Sequence, residues 1–231
     1  MSQIPLPLSF DRQFSLQNYI SDSSEYIAQQ LVALFDETGE PLIGLCGAGD
    51  SGKTHLLNAC AHYARECRVN YYLFDAQQLH AADAEHFADF PPGAVVAIDN
   101  LDMLAGSKPW ETHCYQLINR VKHQELRMLF SLSRLPRDIG FRLPDLKSRL
   151  MWGLMINLPT PDDPALRRII RARADLLGLK LGDEVLDYLL THFSRRLGDQ
   201  IDLLNRLDRE ALSKQRRITI PLVRECCSMP D

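Results

Sequence analysis

The sequence lacks the features that mark membrane-spanning, secreted and metal-binding chains. No apolar run among its 231 residues approaches the roughly 18 residues that a membrane-spanning helix needs. Its first five residues, Met1 to Pro5, have neither the basic nor the apolar region of a secretory signal. The six cysteines form no C-x-x-C pair, and the seven histidines show no metal-ligand spacing. We therefore expect a soluble, cytoplasmic chain with reduced thiols.

A strong excess of positive charge is also absent. The 26 basic side chains are outnumbered by 30 acidic ones, which gives a net charge of −4, so the surface as a whole should not attract nucleic acid. Residues 161–231 nevertheless hold 13 of the 26 basic side chains. Within them Lys214-Gln215-Arg216-Arg217 ends a predicted helix, where cations complement the helix dipole. We interpret this run as a solvated helix end, with a DNA-binding surface as the alternative.

Apolar residues alternate along the chain between short continuous runs and helical spacing. The runs predict buried strands, and the stretches between them predict helices. This alternation is typical of a parallel sheet with helices on both faces. Strands are predicted at 42–46, 69–74, 94–98 and 128–132, with a candidate fifth at 151–158, and helices at 22–35, 53–63, 76–82 and 110–124.

Beyond Pro159-Thr160-Pro161 the strands stop and only helical spacing continues. Helices are predicted at 162–177, 183–192, 199–214 and 220–227. We therefore expect an extended arm over residues 1–12, an α/β nucleotide-binding domain over 13–160 and a small helical domain over 161–231.

The segment from Gly47 to Thr54 matches the phosphate-loop pattern G-x-x-x-x-G-K-[ST] at every position, between a predicted strand and a predicted helix. Its glycines let backbone N–H groups turn toward phosphate oxygens, and the helix N-terminus favours negative charge. Lys53 would reach the β- and γ-phosphates and the Thr54 hydroxyl a magnesium ion, which predicts ADP or ATP with Mg²⁺ as cofactors. The predicted nucleotide-binding residues are Gly47, Gly49, Asp50, Ser51, Gly52, Lys53, Thr54 and His55.

An acid at the end of a neighbouring strand usually completes such a metal site. The run Val95-Val96-Ala97-Ile98 ends at Asp99, which we predict to hold Mg²⁺ with Thr54. Many ATP hydrolases of this architecture have a second acid next, as the base that polarises water, but here the residue is Asn100, which cannot accept a proton. Asp102 lies two residues on and is expected to point elsewhere. We therefore expect nucleotide binding with weak intrinsic hydrolysis.

Together the phosphate loop, the strand ending in Asp99, the polar residue after the next strand and the helical C-terminal region resemble the AAA+ family, over residues 13–231. Within it the chain is similar to the clade of the bacterial replication initiator DnaA. The resemblance implies an AAA+ P-loop NTPase core, a parallel five-stranded sheet between helices, followed by a small all-α lid. Because the sequence stops at Asp231, with no stretch for the DNA-binding domain of DnaA, we expect a regulatory member of the clade.

Two segments have roles that this resemblance implies. Residues 147–153 are similar to the clade's arginine-finger segment, so Arg149 would act on a nucleotide held by a neighbouring subunit; the alternative is a surface arginine paired with Asp145. Residues 3–10 resemble the short motif that binds the DNA polymerase sliding clamp, with Gln3 at a polar subsite and Leu6 and Leu8 in an apolar cleft. An arm folded back on its own domain is the alternative.

Two sensor positions follow from the same resemblance. Ser133 matches the polar sensor near the γ-phosphate, with Ser131 as a competitor. Ile201 stands where the family commonly has a lid arginine, so ATP should gain little over ADP, although Arg195 or Arg196 could substitute.

The resemblance thus implies a nucleotide-bound, ADP-bound regulator. On the DNA-loaded sliding clamp it would stimulate ATP hydrolysis by DnaA and prevent re-initiation of replication. It would contact DNA mainly through the clamp and associate with the replisome at the nucleoid. A homodimer is a further possibility. The alternatives are a self-sufficient AAA+ ATPase or a DNA-binding adaptor acting as a homo-oligomer.

Overall fold

The computed structural model describes residues 14–36, 38–79 and 89–227. They divide into two compact units, of which the first spans Phe14–Thr160 and the second begins at Pro161. All six cysteines lie in the described residues and are free thiols. In this part of the chain no helix combines the length and apolar character that crossing a membrane requires.

A five-stranded parallel sheet organises the first unit. Its strands lie side by side in the order β2-β3-β4-β1-β5, and each neighbouring pair is parallel. The central strands β1 and β3 are buried at every position, whereas the edge strands β2 and β5 are partly exposed. This is the burial expected of a sheet covered on both faces. The strands are β1 (Leu42–Cys46), β2 (Tyr71–Asp75), β3 (Val95–Asp99), β4 (Arg127–Leu132) and β5 (Leu154–Asn157).

Two apolar cores, one on each face, attach the helices to this sheet. Alternate residues of β3 enter opposite cores: Val96 and Ile98 pack on one face, and Val95 and Ala97 on the other. The first face is covered by α3 and α4, and the second by α1 and α2. The helices are α1 (Ser24–Ala33), α2 (Lys53–Cys67), α3 (Lys108–Lys122) and α4 (Pro144–Leu150).

Two helices of the first unit differ from the prediction. The helix predicted over 76–82 is a 3₁₀ helix at Ala76–Gln78 that gives way to extended backbone at Leu79, and its remainder falls outside the described residues. The prediction overlooked α4, because its seven residues are too few to show a helical period. Helix α4 begins with Pro144, a residue suited to the first turn because it needs no N–H partner there.

The second unit is a small helical domain with its own core. Asp162 caps the first helix, where its Oδ1 accepts a hydrogen bond of 2.8 Å from the Ala165 N–H. Leucine and valine side chains from all four helices form the core, so the predicted α/β core followed by a helical lid is confirmed. The helices are α5 (Asp163–Leu176), α6 (Asp183–His192), α7 (Leu197–Lys214) and α8 (Ile220–Cys227).

A buried carboxylate on α3 fixes the approach to α4. Glu111 is only 2% exposed. Its Oε1 accepts hydrogen bonds from the backbone N–H groups of Gly106 (2.7 Å) and Arg142 (3.0 Å), and its Oε2 accepts one from Leu143 (2.7 Å). Such charge-assisted bonds are stronger than neutral ones. Glu111 therefore joins the start of α3 to the chain immediately before α4.

Replacing Glu111 by alanine should be strongly destabilising, because it leaves three backbone donors without their acceptor. We expect the free energy of unfolding, measured by urea denaturation, to fall by about 3 kcal/mol. Thr112→Ala, at the next and exposed position of α3, serves as the control and should stay within about 0.5 kcal/mol of wild type. A loss below about 1 kcal/mol for Glu111→Ala would show that the carboxylate does not stabilise the connection between the start of α3 and the chain before α4.

Candidate functional site

The phosphate-loop segment follows the carboxyl end of β1, and two of its positions, 47 and 52, require glycine. Gly52 has φ +86°, and a Cβ there would lie 2.7 Å from the Tyr19 ring. A Cβ on Gly47 would lie 2.6 Å from both the Leu158 carbonyl oxygen and Ser51 Oγ. Helix α2 begins immediately afterwards at Lys53, and Gly52 has no side chain to cap its first N–H groups. The loop and helix end therefore form a backbone cradle of the kind that binds phosphate.

The Lys53 ammonium lies inside this loop. Its Nζ donates hydrogen bonds to the carbonyl oxygens of Gly47 and Ala48, both at 2.7 Å. Burial lowers the pKa of Lys53, while the carboxylates of Asp99 and Asp102 act in the opposite direction. The loop thus holds a cation in a fixed position at the start of α2.

Asp99, at the end of β3, connects the phosphate loop to the neighbouring strand. Its Oδ2 accepts a hydrogen bond of 2.6 Å from Thr54 Oγ1, and its Oδ1 accepts a short bond from Ser131 Oγ. The structure therefore brings together Thr54 and Asp99, the two residues predicted to hold Mg²⁺. A hydroxyl and a carboxylate are oxygen ligands that suit this ion.

Asn100 has the left-handed backbone conformation, with φ 55° and ψ 40°, which asparagine tolerates better than most residues. Its backbone N–H donates to Ser131 Oγ (2.8 Å) and to Asp99 Oδ1 (3.1 Å). Its side-chain Nδ2 donates to Asp75 Oδ1 at 3.3 Å. The residue in the usual position of the water-activating acid is thus an amide that bonds to a carboxylate on β2.

The two serine candidates for the first sensor have different surroundings. Ser131 is fully buried within β4 and bonds to Asp99, whereas Ser133 is exposed and donates to Asp102 Oδ2 at 2.6 Å. Asp102, expected to point elsewhere, accepts this bond from Ser133, and its charge opposes the effect of burial, which lowers the pKa of Lys53. The chain turns through a 3₁₀ helix at Leu101–Leu104, which the strand pattern did not predict.

A segment before α1 also packs on the phosphate loop. The Tyr19 hydroxyl donates to the Ser51 carbonyl oxygen at 3.3 Å, and His55 Nε2 lies 3.0 Å from the Ser15 carbonyl oxygen. The Phe14 and His55 rings are 5.5 Å apart between centroids. Sequence reasoning did not find these contacts, because nothing in the pattern of residues 14–20 pairs them with positions more than 30 residues away.

Arg149 lies in the last turn of α4 and is partly exposed. Its Nη2 donates to the Tyr115 hydroxyl at 3.0 Å, and its guanidinium carbon lies 4.5 Å from the Tyr115 ring centroid. Among the described residues no ion pair joins it to Asp145, the partner considered as the alternative. Arg149 borders a surface cavity of about 350 Å³, whose lining also contains Ile118, Lys122, Asp145, Ser148 and Trp152.

Other predicted site residues belong to the second unit or lie outside the described residues. Ile201 is in α7 of the helical unit, and Arg195 in the same unit pairs with Asp163 at 2.9 Å. Gln3, Leu6 and Leu8, the predicted clamp-binding residues, lie outside the described residues.

Residues 10–157 match the family model described as the bacterial DnaA ATPase domain. The chain belongs to the bacterial DnaA family. Residues 163–227 match the model described as the lid domain of Hda, so this member of the DnaA family is Hda-like in its second unit. A protein of Haemophilus influenzae, itself uncharacterised, is 29% identical over 98% of this chain and 99% of its own length. The resemblance inferred from sequence motifs is therefore confirmed.

Solved structures share the fold of this DnaA-family chain. Domain III of DnaA from Thermotoga maritima has a TM-score of 0.75 and 16% identity, over 93% of this chain and 95% of that one. AMPPCP-bound DnaA from Aquifex aeolicus has a TM-score of 0.68 and 20% identity, over 88% and 68%. The RuvB branch migration motor of Thermotoga maritima reaches 0.69 with 20% identity, over 94% and 72%. At these identities the likeness confirms the AAA+ fold.

The different surroundings of the two serines predict different effects of replacing each by alanine. Ser131→Ala removes a buried hydroxyl that bonds both Asp99 and Asn100, so we expect the free energy of unfolding to fall by about 2 kcal/mol. Ser133→Ala removes an exposed bond and should cost no more than about 0.5 kcal/mol. Urea denaturation of both variants tests this difference, and equal losses would contradict it.

Proposed function

We propose that this chain is a nucleotide-bound regulator that stimulates ATP hydrolysis by the initiator DnaA and so prevents re-initiation of replication. Its membership of the DnaA family and the Hda-type lid support a role in regulating initiation. The observation that carries the proposal is a contrast within the core unit. The chain's own phosphate site has an amide at Asn100 in the place of the usual acid, while α4 presents Arg149 at the surface.

The residues of the phosphate site suit the phosphates of a nucleotide with Mg²⁺, and AMPPCP in the related DnaA structure supports an adenine nucleotide as the ligand. Lys53 would neutralise phosphate charge, the loop from Gly47 to Gly52 would donate backbone N–H groups, and Thr54 with Asp99 would hold the metal ion. The ion would supply charge neutralisation of the phosphates when bound. Tyr19 bonds to the loop at the Ser51 carbonyl oxygen and its ring contacts that of His55.

Weak turnover of the chain's own nucleotide follows from Asn100. A carboxamide cannot take a proton from water, and its amide group is bonded to Asp75. ADP would then be the species that remains bound. Arg149, in contrast, can offer a guanidinium to the γ-phosphate of a nucleotide held by DnaA, where such a group stabilises developing charge.

Neither alternative function gains support from the described residues. A self-sufficient ATPase needs a water-activating base, and the position next to Asp99 provides none. A DNA-binding adaptor would need the basic run at the end of α7, but Lys214 pairs with Glu210 and Glu225, and Arg216 also approaches Glu225. These acids offset part of the positive charge that would attract phosphates.

Removing the Arg149 guanidinium should abolish most of the stimulation. With the sliding clamp loaded on DNA, we expect the Arg149→Ala variant to stimulate ATP hydrolysis by DnaA about 10³-fold less than wild type, the lower end of arginine-finger effects. Arg137→Ala is the matched control, since Arg137 is exposed and pairs only loosely with Asp138 at 3.8 Å. Equal stimulation by wild type and Arg149→Ala would reject the finger assignment.

The arm generates a separate prediction about the sliding clamp. Gln3→Ala, or Leu6→Ala with Leu8→Ala, should weaken clamp binding at least about tenfold, because one polar anchor or two apolar anchors are lost. Surface plasmon resonance on immobilised clamp measures this loss, with Ser9→Ala as the control in the same segment. If all variants bind the clamp as wild type does, the arm is not the clamp-binding element.

A further inference from the structure

Tyr115 on α3 fixes the guanidinium of Arg149 by two contacts at once. Its hydroxyl accepts the 3.0 Å hydrogen bond from Nη2, and its ring faces the guanidinium carbon at 4.5 Å. The first contact sets the rotation of the guanidinium, and the second, a cation–π interaction, sets its height over the ring. The two residues are 34 positions apart in sequence, so this arrangement depends on the packing of α4 on α3.

Tyr115 is itself held by the protein core. Its ring packs against the apolar core on the α3 face of the sheet, which includes Trp110 and Leu146. One helical turn earlier on α3, Glu111 binds the backbone immediately before α4. Residues four apart lie on the same face of a helix, so Glu111 fixes the start of α4 and Tyr115 fixes the side chain near its end.

The contact with Tyr115 orients Arg149 and leaves most of its N–H donors available to a ligand. A guanidinium has five N–H donors, and the bond to Tyr115 uses one of them. An arginine that is already ordered loses less rotamer freedom when it binds a phosphate. The contact is thus suited to presenting the side chain to a ligand rather than to sequestering it.

We propose that Tyr115 is a positioning residue that holds Arg149 in the orientation needed to act on a partner's nucleotide. This inference rests on the proposed function, because it assumes that Arg149 is the acting group. A misoriented guanidinium would still reach the partner's nucleotide, but it would stabilise the negative charge that develops on the transferred phosphoryl group less well. Tyr115 should therefore affect the maximal rate of hydrolysis more than the affinity for the partner.

The kinetic test compares three variants in the clamp-dependent DnaA hydrolysis assay, titrating this chain at saturating ATP. Tyr115→Phe keeps the ring and loses the hydrogen bond, and should lower the maximal rate about fivefold. Tyr115→Leu loses both contacts and should lower it about thirtyfold. The concentration giving half-maximal stimulation should stay within about twofold of wild type. Tyr26→Phe on α1, where Tyr26 is 49% exposed, is the control and should behave as wild type.

A second measurement examines the chain alone and does not depend on DnaA. ¹⁵N relaxation of the Arg149 Nε–H group should show a restrained side chain in wild type, more motion in Tyr115→Phe and the most in Tyr115→Leu. In the Arg149→Ala background, Tyr115→Phe should cause no further loss of stimulation, because the two residues act through one group.

The outcomes distinguish failure of the proposed function from failure of the positioning role of Tyr115. If wild type does not stimulate DnaA, the proposed function fails, while the relaxation data still test the contact between Tyr115 and Arg149. If wild type stimulates but Tyr115→Leu matches it, or raises only the half-maximal concentration, Tyr115 is not a positioning residue. Unchanged Arg149 relaxation in Tyr115→Leu would also overturn the inference.

Discussion

The arrangement of the candidate site depends on the hydrogen bonds that the Asp99 carboxylate accepts. This carboxylate accepts hydrogen bonds from Thr54 at the start of α2, from Ser131 on β4 and from the backbone of Asn100 beyond β3. These three segments are distant in sequence, and a single buried acid at the carboxyl edge of the sheet joins them. Because all three donors bond to the same carboxylate, the start of α2, the predicted metal-ligand pair and the left-handed turn at Asn100 are held in fixed positions relative to one another. The carboxylate thus connects the fold to the chemistry of the site.

We propose that the core unit separates two functions that many nucleotide hydrolases combine. Around Asp99 lie the residues predicted to hold a nucleotide, with the amide of Asn100 in the position of the usual base. On the α3–α4 face the chain presents Arg149, ordered by Tyr115 and bordering a surface cavity. Glu111 joins the start of α3 to the chain immediately before α4 through backbone hydrogen bonds. We infer that the nucleotide of this chain serves its structure or regulation, while its arginine acts on a nucleotide bound elsewhere.

The parts of this picture that could be predicted from sequence are those encoded by neighbouring residues. Gly47 to Thr54 form a contiguous motif, and the buried strand ending in Asp99 has an unmistakable apolar run. In contrast, the contacts of Tyr115 with Arg149, Glu111 with Leu143 and Tyr19 with Ser51 join residues more than 30 positions apart. They depend on how the strands are ordered and how short α4 packs, and neither leaves a periodic signal in the chain. The hydrogen bond from Ser133, which follows β4, to Asp102, in the 3₁₀ helix after β3, likewise depends on the side-by-side placement of these two strands.

The central claim is that this chain promotes hydrolysis of its partner's nucleotide and not of its own. Reciprocal labelling tests it most directly: DnaA carries γ-³²P-ATP and this chain carries unlabelled nucleotide, and then the labels are exchanged, each time with the clamp loaded on DNA. The account predicts that labelled phosphate is released rapidly when the label is on DnaA and remains bound when it is on this chain. Rapid release from label carried by this chain, with none from DnaA, would contradict the account.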